Sequence, residues 1–324
     1  MIKEIASKEV QDFITANEDV DPFELSLKHR ELFGLPIKII SEQIAARKKA
    51  KTKLPEWYAT DGIVYPPLLS MEQCSSEQAA QYKSTLLSGH TLLDLTGGTG
   101  VDTHYLSKNF KHCIYVERNK HLCEIARHNF TVFQNDKIQV FKDKSEDFIN
   151  TYSKNVDAIF IDPARRDDDK NKVFRWEDCE PNVVEIQEDL FELADDILIK
   201  GSPMLDINSS LAALNHVKAV HVLSIKNECK EVLYHLQKNN SSTVKVQTIN
   251  ITASGDQQVF DFLPKEEENH IVELSEPQAF LYEPNASILK AGAFKSVSVK
   301  YKLNKLHQHT HLYTSKSLIT GFPG

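Results

Sequence analysis

A glycine-rich stretch follows a short apolar segment near residue 95. An acid and four small residues lie within seven positions: Asp94, Thr96, Gly97, Gly98 and Gly100. Glycines at such positions let the backbone turn sharply and approach a ligand without a Cβ in the way. The helix expected to open at Val101 and Asp102 would present its N-terminal amides to a bound carboxylate. A nicotinamide site prefers a third glycine where this chain has Thr103, and a tight turn without a ligand is the alternative.

Two further acids end the next two apolar segments. Glu117, followed by Arg118, ends HCIYVER 23 residues after Asp94, and Asp143 ends KIQVFKD. Each acid could be a solvated strand end. Ligands of open α/β sheets bind at the carboxyl ends of strands, so three acids at successive strand ends predict one cofactor site.

The run LLDLTGGTGVDT resembles class I methyltransferases that use S-adenosyl-L-methionine. The resemblance implies a Rossmann-like α/β fold with a seven-stranded sheet. It assigns Glu117 to the ribose hydroxyls and Asp143 to the adenine amino group of that cofactor. In many such enzymes a helix before the sheet closes over the methionine end, so Gln73 and Ser76 of SMEQCSSEQAAQYKS are candidate contacts, with packing as the alternative.

The fourth apolar segment, DAIFID, ends in Asp162 and Pro163. Methyltransferases of amino groups and RNA bases carry an acid or amide followed by proline here, so Asp162 and the Pro163 carbonyl would orient the attacking nitrogen. Positioning two reactants supplies most of such a rate gain, so no metal is required. Ala164 and Arg165 depart from the N6-adenine pattern of a second proline and an aromatic, which leaves the attacked atom open.

Charged residues surround this acid. Arg165 and Arg166 could clamp a phosphate or carboxylate, or could pair with the three aspartates that follow, Asp167, Asp168 and Asp169. The aspartates are expected to be solvated rather than to bind a metal. Lys200, which ends DILIKG, is expected beside the cleft, where it could also cap or neutralise.

Strands and helices alternate from Thr91 onward, as in a parallel sheet with crossover helices. Five strands are expected from 91 to 201, separated by helices over 102–110, 120–131, 145–152 and 182–194. VKAVHVLSI and VKVQTINI would complete seven strands, joined by a helix over ECKEVLYHLQK that begins at NECKE beside the cleft. The stretch PKEEENH is interpreted as a linker. We expect a helical domain over 1–70, the methyltransferase domain over 71–262 and a partial α+β module over 271–324.

The composition is that of a globular protein with uneven charge. The chain has 324 residues, is 41% hydrophobic and carries a net charge of −8. The charge is −1 over residues 1–70, −13 over 71–284 and +6 over 285–324. Scattered cysteines and the lack of a signal-like start predict a cytoplasmic protein without disulfides or a membrane segment. The basic run ARKKAKTK could touch phosphates, although a solvated helix end is the simpler interpretation.

The chain as a whole is similar to an uncharacterised bacterial class I methyltransferase family. The motifs MEQCSSEQAAQYK, DPARR, NECKE and LYEPNASILKAGAF carry the resemblance, the last marking a ferredoxin-like module. The family also has a C-terminal domain resembling THUMP, a tRNA-binding module, which would lie beyond Gly324 in a longer protein. HQHTH in the last module is interpreted as a surface strand rather than a metal site.

Three functions remain open from the sequence. The first is an RNA base methyltransferase acting on tRNA or rRNA, which the family implies by association. The second is a methyltransferase acting on a protein or small acid, and the third is a protein that binds S-adenosylmethionine without turnover.

Overall fold

The computed structural model describes residues 1–165 and 175–324, except for the side chains of residues 22, 23, 26 and 165. The chain forms two compact units, 1–160 and 161–324. This division does not test the boundaries of the three expected domains, which stay predictions. Among the described residues, no helix is long and apolar enough to cross a membrane.

The first unit begins with helices, as the apolar spacing predicts. Its elements before the sheet are α1 (Ile2–Ile5), α2 (Lys8–Ala16), α3 (Pro22–Lys28), the hairpin β1 (Glu31–Leu32) and β2 (Leu35–Pro36), α4 (Ile37–Lys53), α5 (Pro55–Ala59), α6 (Leu68–Gln73) and α7 (Glu77–Ser84). Apolar side chains of α2 and α4 form a core that also includes Ile125. The helical segment therefore packs onto the rest of the first unit.

The basic run lies in α4 and is largely paired. Lys49 Nζ lies 2.7 Å from Glu72, and Lys51 Nζ lies 3.2 Å from Glu18. These pairs support the interpretation of a solvated helix end.

Four parallel strands form the sheet of the first unit, in the order β6-β3-β4-β5. Its elements are β3 (Thr91–Asp94), α8 (Val101–Leu106), β4 (His112–Glu117), α9 (Lys120–Val132), β5 (Ile138–Lys142), α10 (Ser145–Thr151) and β6 (Ala158–Ile161). The expected strands and crossover helices are all present. Parallel pairing places the ends of β3, β4 and β5 at one edge.

Five longer strands run in the order β9-β11-β10-β12-β13 in the second unit. Its elements up to this sheet's last strand are β7 (Ala164–Arg165), β8 (Cys179–Glu180), α11 (Val183–Leu193), β9 (Asp196–Gly201), α12 (Ile207–Ala213), β10 (Val217–Ile225), β11 (Glu228–Gln237), β12 (Lys245–Ile251) and β13 (Gln257–Phe262). Three of the seven expected strands lie here, and β11 and β13 add two more.

The helix expected over ECKEVLYHLQK is wrong, because this segment is the strand β11. It pairs antiparallel with both β9 and β10, and its residues from Glu231 to Leu236 are all buried. Lys226 and Asn227 have φ values of 52° and 61°, which suits a tight hairpin between β10 and β11. NECKE therefore forms the hairpin turn and the start of a strand, not the start of a helix.

The last segment is a small α+β arrangement. It comprises α13 (Pro264–Asn269), β14 (Phe280–Tyr282), α14 (Ala286–Ala291), α15 (Phe294–Tyr301), β15 (Asn304–Lys305) and β16 (Tyr313–Ser315). The expected linker PKEEENH is wrong in part, since it forms α13, where Pro264 occupies the first turn. The three strands form one antiparallel sheet in the order β14-β16-β15, which agrees with the expected α+β character.

Candidate functional site

Asp94 ends β3 and is fully buried. Its Oδ1 accepts the N–H of Thr96 at 3.0 Å, and its Oδ2 accepts the hydroxyl of Thr103 at 2.5 Å. The carboxylate therefore joins the start of the glycine loop to the first turn of α8. Asp94 has the geometry of a residue that shapes the loop, and its direct contact with a cofactor stays a prediction.

The glycines of the loop serve different steric needs. A Cβ on Gly97 would lie 2.2 Å from the buried ring of Tyr115, so the loop can pack on β4 only with glycine there. Gly98 has a φ of 54° and Gly100 one of 83°, both in the left-handed region. A Cβ on Gly98 would meet only the Thr96 carbonyl at 3.7 Å, so the space beside Gly98 is open. This open, side-chain-free backbone fits the approach of a cofactor.

Glu117 is half-buried at the end of β4 and is fixed by backbone groups. Its Oε2 accepts the N–H of Gly98 at 3.0 Å, and its Oε1 accepts the N–H of Asn119 at 2.7 Å. Each carboxylate oxygen has two acceptor positions, so one on each remains for a pair of hydroxyls. This is the arrangement that a ribose diol requires.

Asp143 lies beside Glu117 at the same edge. Its N–H donates to the Glu117 carbonyl at 3.2 Å, and its side chain is half-buried. Arg118, the next residue after Glu117, is exposed. The structure thus brings together the two acids that the sequence assigned to the ribose and the adenine.

A buried ion pair lies at the start of α8, and only one of its two residues, Asp102, was predicted as a site residue. Asp102 Oδ2 accepts the hydroxyl of Ser75 at 2.7 Å, and its Oδ1 lies 3.2 Å from Nζ of Lys83, a fully buried lysine. Nothing in the sequence distinguishes Lys83 from a helix-surface lysine. Asp102 therefore ties α8 to α7, and its contact with a cofactor stays a prediction.

The two candidate contacts before the sheet occupy different positions. Gln73 is the exposed last residue of α6. Ser76 caps α7, and its hydroxyl accepts the N–H of Ala79 at 3.3 Å. The cap expected from the sequence is therefore present at Ser76.

Asp162 and Lys200 form a close ion pair in the second unit. Their Oδ2 and Nζ atoms are 2.5 Å apart, with side-chain exposures of 33% and 14%. The carboxylate is held in place yet remains accessible from one side. Of the nearby arginine pair, the side chain of Arg165 and all of Arg166 lie outside the described residues, as do Asp167, Asp168 and Asp169.

The histidines of HQHTH do not form a metal cluster with other residues in the described ranges. His311 instead stacks on the ring of Phe294, with centroids 3.8 Å apart, and His307 and His309 are exposed neighbours. They lie at the surface as predicted, but the predicted strand is wrong, because HQHTH forms the turn between β15 and β16.

A crystal structure described as a "putative methyltransferase" from Porphyromonas gingivalis W83 resembles nearly the entire chain. It is 31% identical, with a TM-score of 0.87, and the match covers 99% of this chain and 80% of that one. The chain belongs to the same methyltransferase family. The methyltransferase fold expected from the sequence is confirmed, as is the enzyme class.

Shorter matches agree with this assignment. Residues 77–176 match a family model described as conserved hypothetical protein 95, and residues 280–323 match a ferredoxin-like domain. No curated protein matches the methyltransferase at a significant level.

Two further solved structures match about half of the chain. TrmK from M. capricolum in complex with S-adenosyl-homocysteine is 16% identical with a TM-score of 0.39, covering 50% of this chain and 68% of that one. An RNA methyltransferase, described as putative, from Pyrococcus horikoshii is 17% identical with a TM-score of 0.40, covering 58% and 98%. This similarity is too low to indicate the substrate of the methyltransferase.

Proposed function

We propose that this methyltransferase transfers the methyl group of S-adenosylmethionine to an RNA base, in tRNA or rRNA. The open backbone at Gly98 and the fixed carboxylate of Glu117 support the cofactor. S-adenosylmethionine supplies an electrophilic methyl group when bound. The chain's own residues would hold its ribose at Glu117 and its adenine at Asp143.

The Asp162–Lys200 ion pair carries the proposal for the acceptor. An ionised carboxylate can only accept hydrogen bonds, so Asp162 would hold an N–H of the acceptor nitrogen and direct its lone pair. Lys200 fixes one oxygen of Asp162, and about a third of the Asp162 side chain is exposed to solvent. Such positioning accounts for most of the rate gain that a methyl transfer needs.

The basic end of the chain supports an RNA substrate. Residues 285–324 carry six lysines and no acid. Lys300, Lys302 and Lys316 are exposed, whereas Lys305 is only 6% exposed and its Nζ donates to the Gln308 carbonyl. The three exposed lysines are therefore the candidates for phosphate contacts, and Lys305 is not.

Mass spectrometry of nucleosides from a deletion strain tests the proposal. We expect one methylated nucleoside of tRNA or rRNA to disappear on deletion, to return with the wild-type gene and to stay absent with Asp162→Ala. A full set of modified nucleosides in the deletion strain would move the substrate to a protein or small acid.

A further inference from the structure

A cavity of about 110 Å³ lies next to Asp162, wholly within the second unit. Pro163 and Lys200, the chain neighbour and the ion-pair partner of Asp162, both line it. Trp176, Cys179 and Leu205 provide its apolar surface. Ligand pockets are mostly apolar with a few placed polar groups, and this cavity has that character.

Trp176 is a fixed wall of the cavity. It is 3% exposed and meets the ring of Tyr234 edge-on, with centroids 5.5 Å apart and planes at 78°. A Cβ on Gly201 would lie 3.0 Å from Trp176 Cη2, so the ring occupies the space left by this glycine. Among the described residues its buried indole N–H has no hydrogen-bond partner, which costs stability and calls for an explanation.

The charges of the described residues at the cavity balance. Arg175 and Lys200 are cations of its lining, Asp178 is an anion, and Asp162 is paired with Lys200. Among the described residues at the cavity, the two positive and two negative side chains leave no surplus charge. A charged acceptor, such as a carboxylate or an alkylammonium group, would therefore lose its hydration in the cavity without gaining an excess of opposite charge.

The size of the cavity suits one small ring. An apolar cavity of about 150 Å³ encloses benzene. This cavity is smaller, so it can hold a single six-membered ring only because it is open to solvent on one side. Enzymes that modify bases place the ring among aromatic and apolar side chains and contact its polar edge.

We infer that this cavity binds the methyl acceptor as a neutral, planar nitrogen heterocycle, with Trp176 as its wall and Asp162 at its amine-bearing edge. The inference rests on the proposed function and specifies the acceptor. In the N6-adenine pattern an aromatic residue occupies the position of Arg165. The inference assigns the role of that aromatic to Trp176. Trp176 is thus a specificity-determining residue for the transfer.

The fluorescence of Trp176 can report occupancy directly, because the chain has two tryptophans, Trp57 and Trp176. The Trp57→Phe protein would be titrated with nucleosides, and with RNA from the deletion strain, in the presence of S-adenosyl-homocysteine. Glutamate and methylguanidinium serve as charged comparison ligands. Excitation at the red edge of the indole band avoids absorption by the bases.

We expect at least one nucleoside and the RNA to quench Trp176, whereas neither charged ligand does. Adding Ser202→Leu, which narrows the cavity, should weaken quenching at least tenfold. Ser209→Leu, on the exposed face of α12 outside the cavity lining, should leave it unchanged.

Other outcomes separate the two proposals. Quenching only by glutamate or methylguanidinium, or quenching by RNA that Ser202→Leu does not affect, would overturn the inference. So would an absence of quenching in protein that binds S-adenosyl-homocysteine by calorimetry. Failure to bind S-adenosyl-homocysteine at all would instead count against the proposed function.

Discussion

Oε2 of Glu117 accepts the backbone N–H of Gly98 at 3.0 Å, which joins the end of β4 to the glycine loop. Tyr115 reinforces the joint, since its hydroxyl donates to the Gly98 carbonyl at 2.7 Å. Both the N–H and the C=O of Gly98 are thus hydrogen-bonded to side chains of β4. The loop is positioned before any ligand arrives, so little ordering cost remains for binding.

Removing this carboxylate should weaken the cofactor more than it weakens the fold. For Glu117→Ala we expect at least a tenfold loss of S-adenosylmethionine affinity by calorimetry, because two charge-assisted hydrogen bonds to the diol are lost. Glu124→Ala, at a partly exposed acid of α9, is the matched control and should bind normally. Unchanged affinity in folded Glu117→Ala protein would remove Glu117 from the site.

Two neighbouring glycines should respond differently to alanine. Gly98→Ala introduces left-handed strain of about 1 kcal/mol but no collision, so it should lower S-adenosylmethionine affinity with a small change in the unfolding free energy. Gly97→Ala places a Cβ against the Tyr115 ring and should destabilise the protein strongly. Thermal unfolding and calorimetry on both variants check the pair, and equal effects on stability would contradict the geometry.

Lys200 should act on turnover through Asp162. Lys200→Met should lower kcat at least tenfold with little change in S-adenosylmethionine affinity, since it removes the ion pair that helps to position the Asp162 carboxylate. Lys200→Arg should recover part of the activity, and the pH profile of Lys200→Met should differ from the wild type. Lys230→Met, at a lysine paired with Glu228 on β11, is the control. A parallel loss of folding and activity, without a changed pH profile, would reduce Lys200 to a structural role.

Acid should destabilise the protein through buried histidines. Burial lowers the pKa of His104 to about 4, against a smaller opposing effect of Glu56. Between pH 6.5 and about 4 the unfolded chain binds a proton that the folded one does not, so stability falls as pH falls. For His104 the full loss is about 3 kcal/mol. Thermal unfolding across this window should show a shallower pH slope for His104→Phe, and an identical slope would contradict the assignment.

The exposed C-terminal lysines should carry salt-sensitive RNA binding. Replacing Lys300, Lys302 and Lys316 together by glutamine should weaken tRNA binding in a mobility shift. It should also reduce the log–log salt slope by about 2 to 3, because each phosphate contact contributes about 0.9. Glutamines at Lys8, Lys28 and Lys38, three exposed lysines of the first unit, provide the control. An equal loss in the control, or none in either, would remove the basic end from the interface.

The sequence predicts the first unit better than the second. The strands β3 and β4 end at the expected acids, and the other two expected acids directly follow β5 and β6, because local spacing decides the strand, the loop and the helix that follows. In β11 the apolar run from Val232 to Leu236 is buried on both faces and so lacks strand alternation. Only its pairing with β9 and β10 decides between helix and strand, although Asn227 in the turn was a local hairpin signal.

The acceptor side was predictable only in outline. Asp162 and Pro163 follow from the end of β6, whereas the cavity depends on Trp176 and Ser202, which reach it from other parts of the second unit. No spacing in the sequence links Trp176 to Lys200. The buried Lys83 beneath Asp102 is hidden for the same reason.

Methyl transfer from labelled S-adenosylmethionine to RNA of the deletion strain tests the central claim most directly. The purified wild-type protein should place label in the RNA, and Asp162→Ala should reduce it at least tenfold while binding S-adenosyl-homocysteine with unchanged affinity. Label that appears in protein or in a small acid instead of RNA, or that is unaffected in Asp162→Ala, would contradict the proposed function.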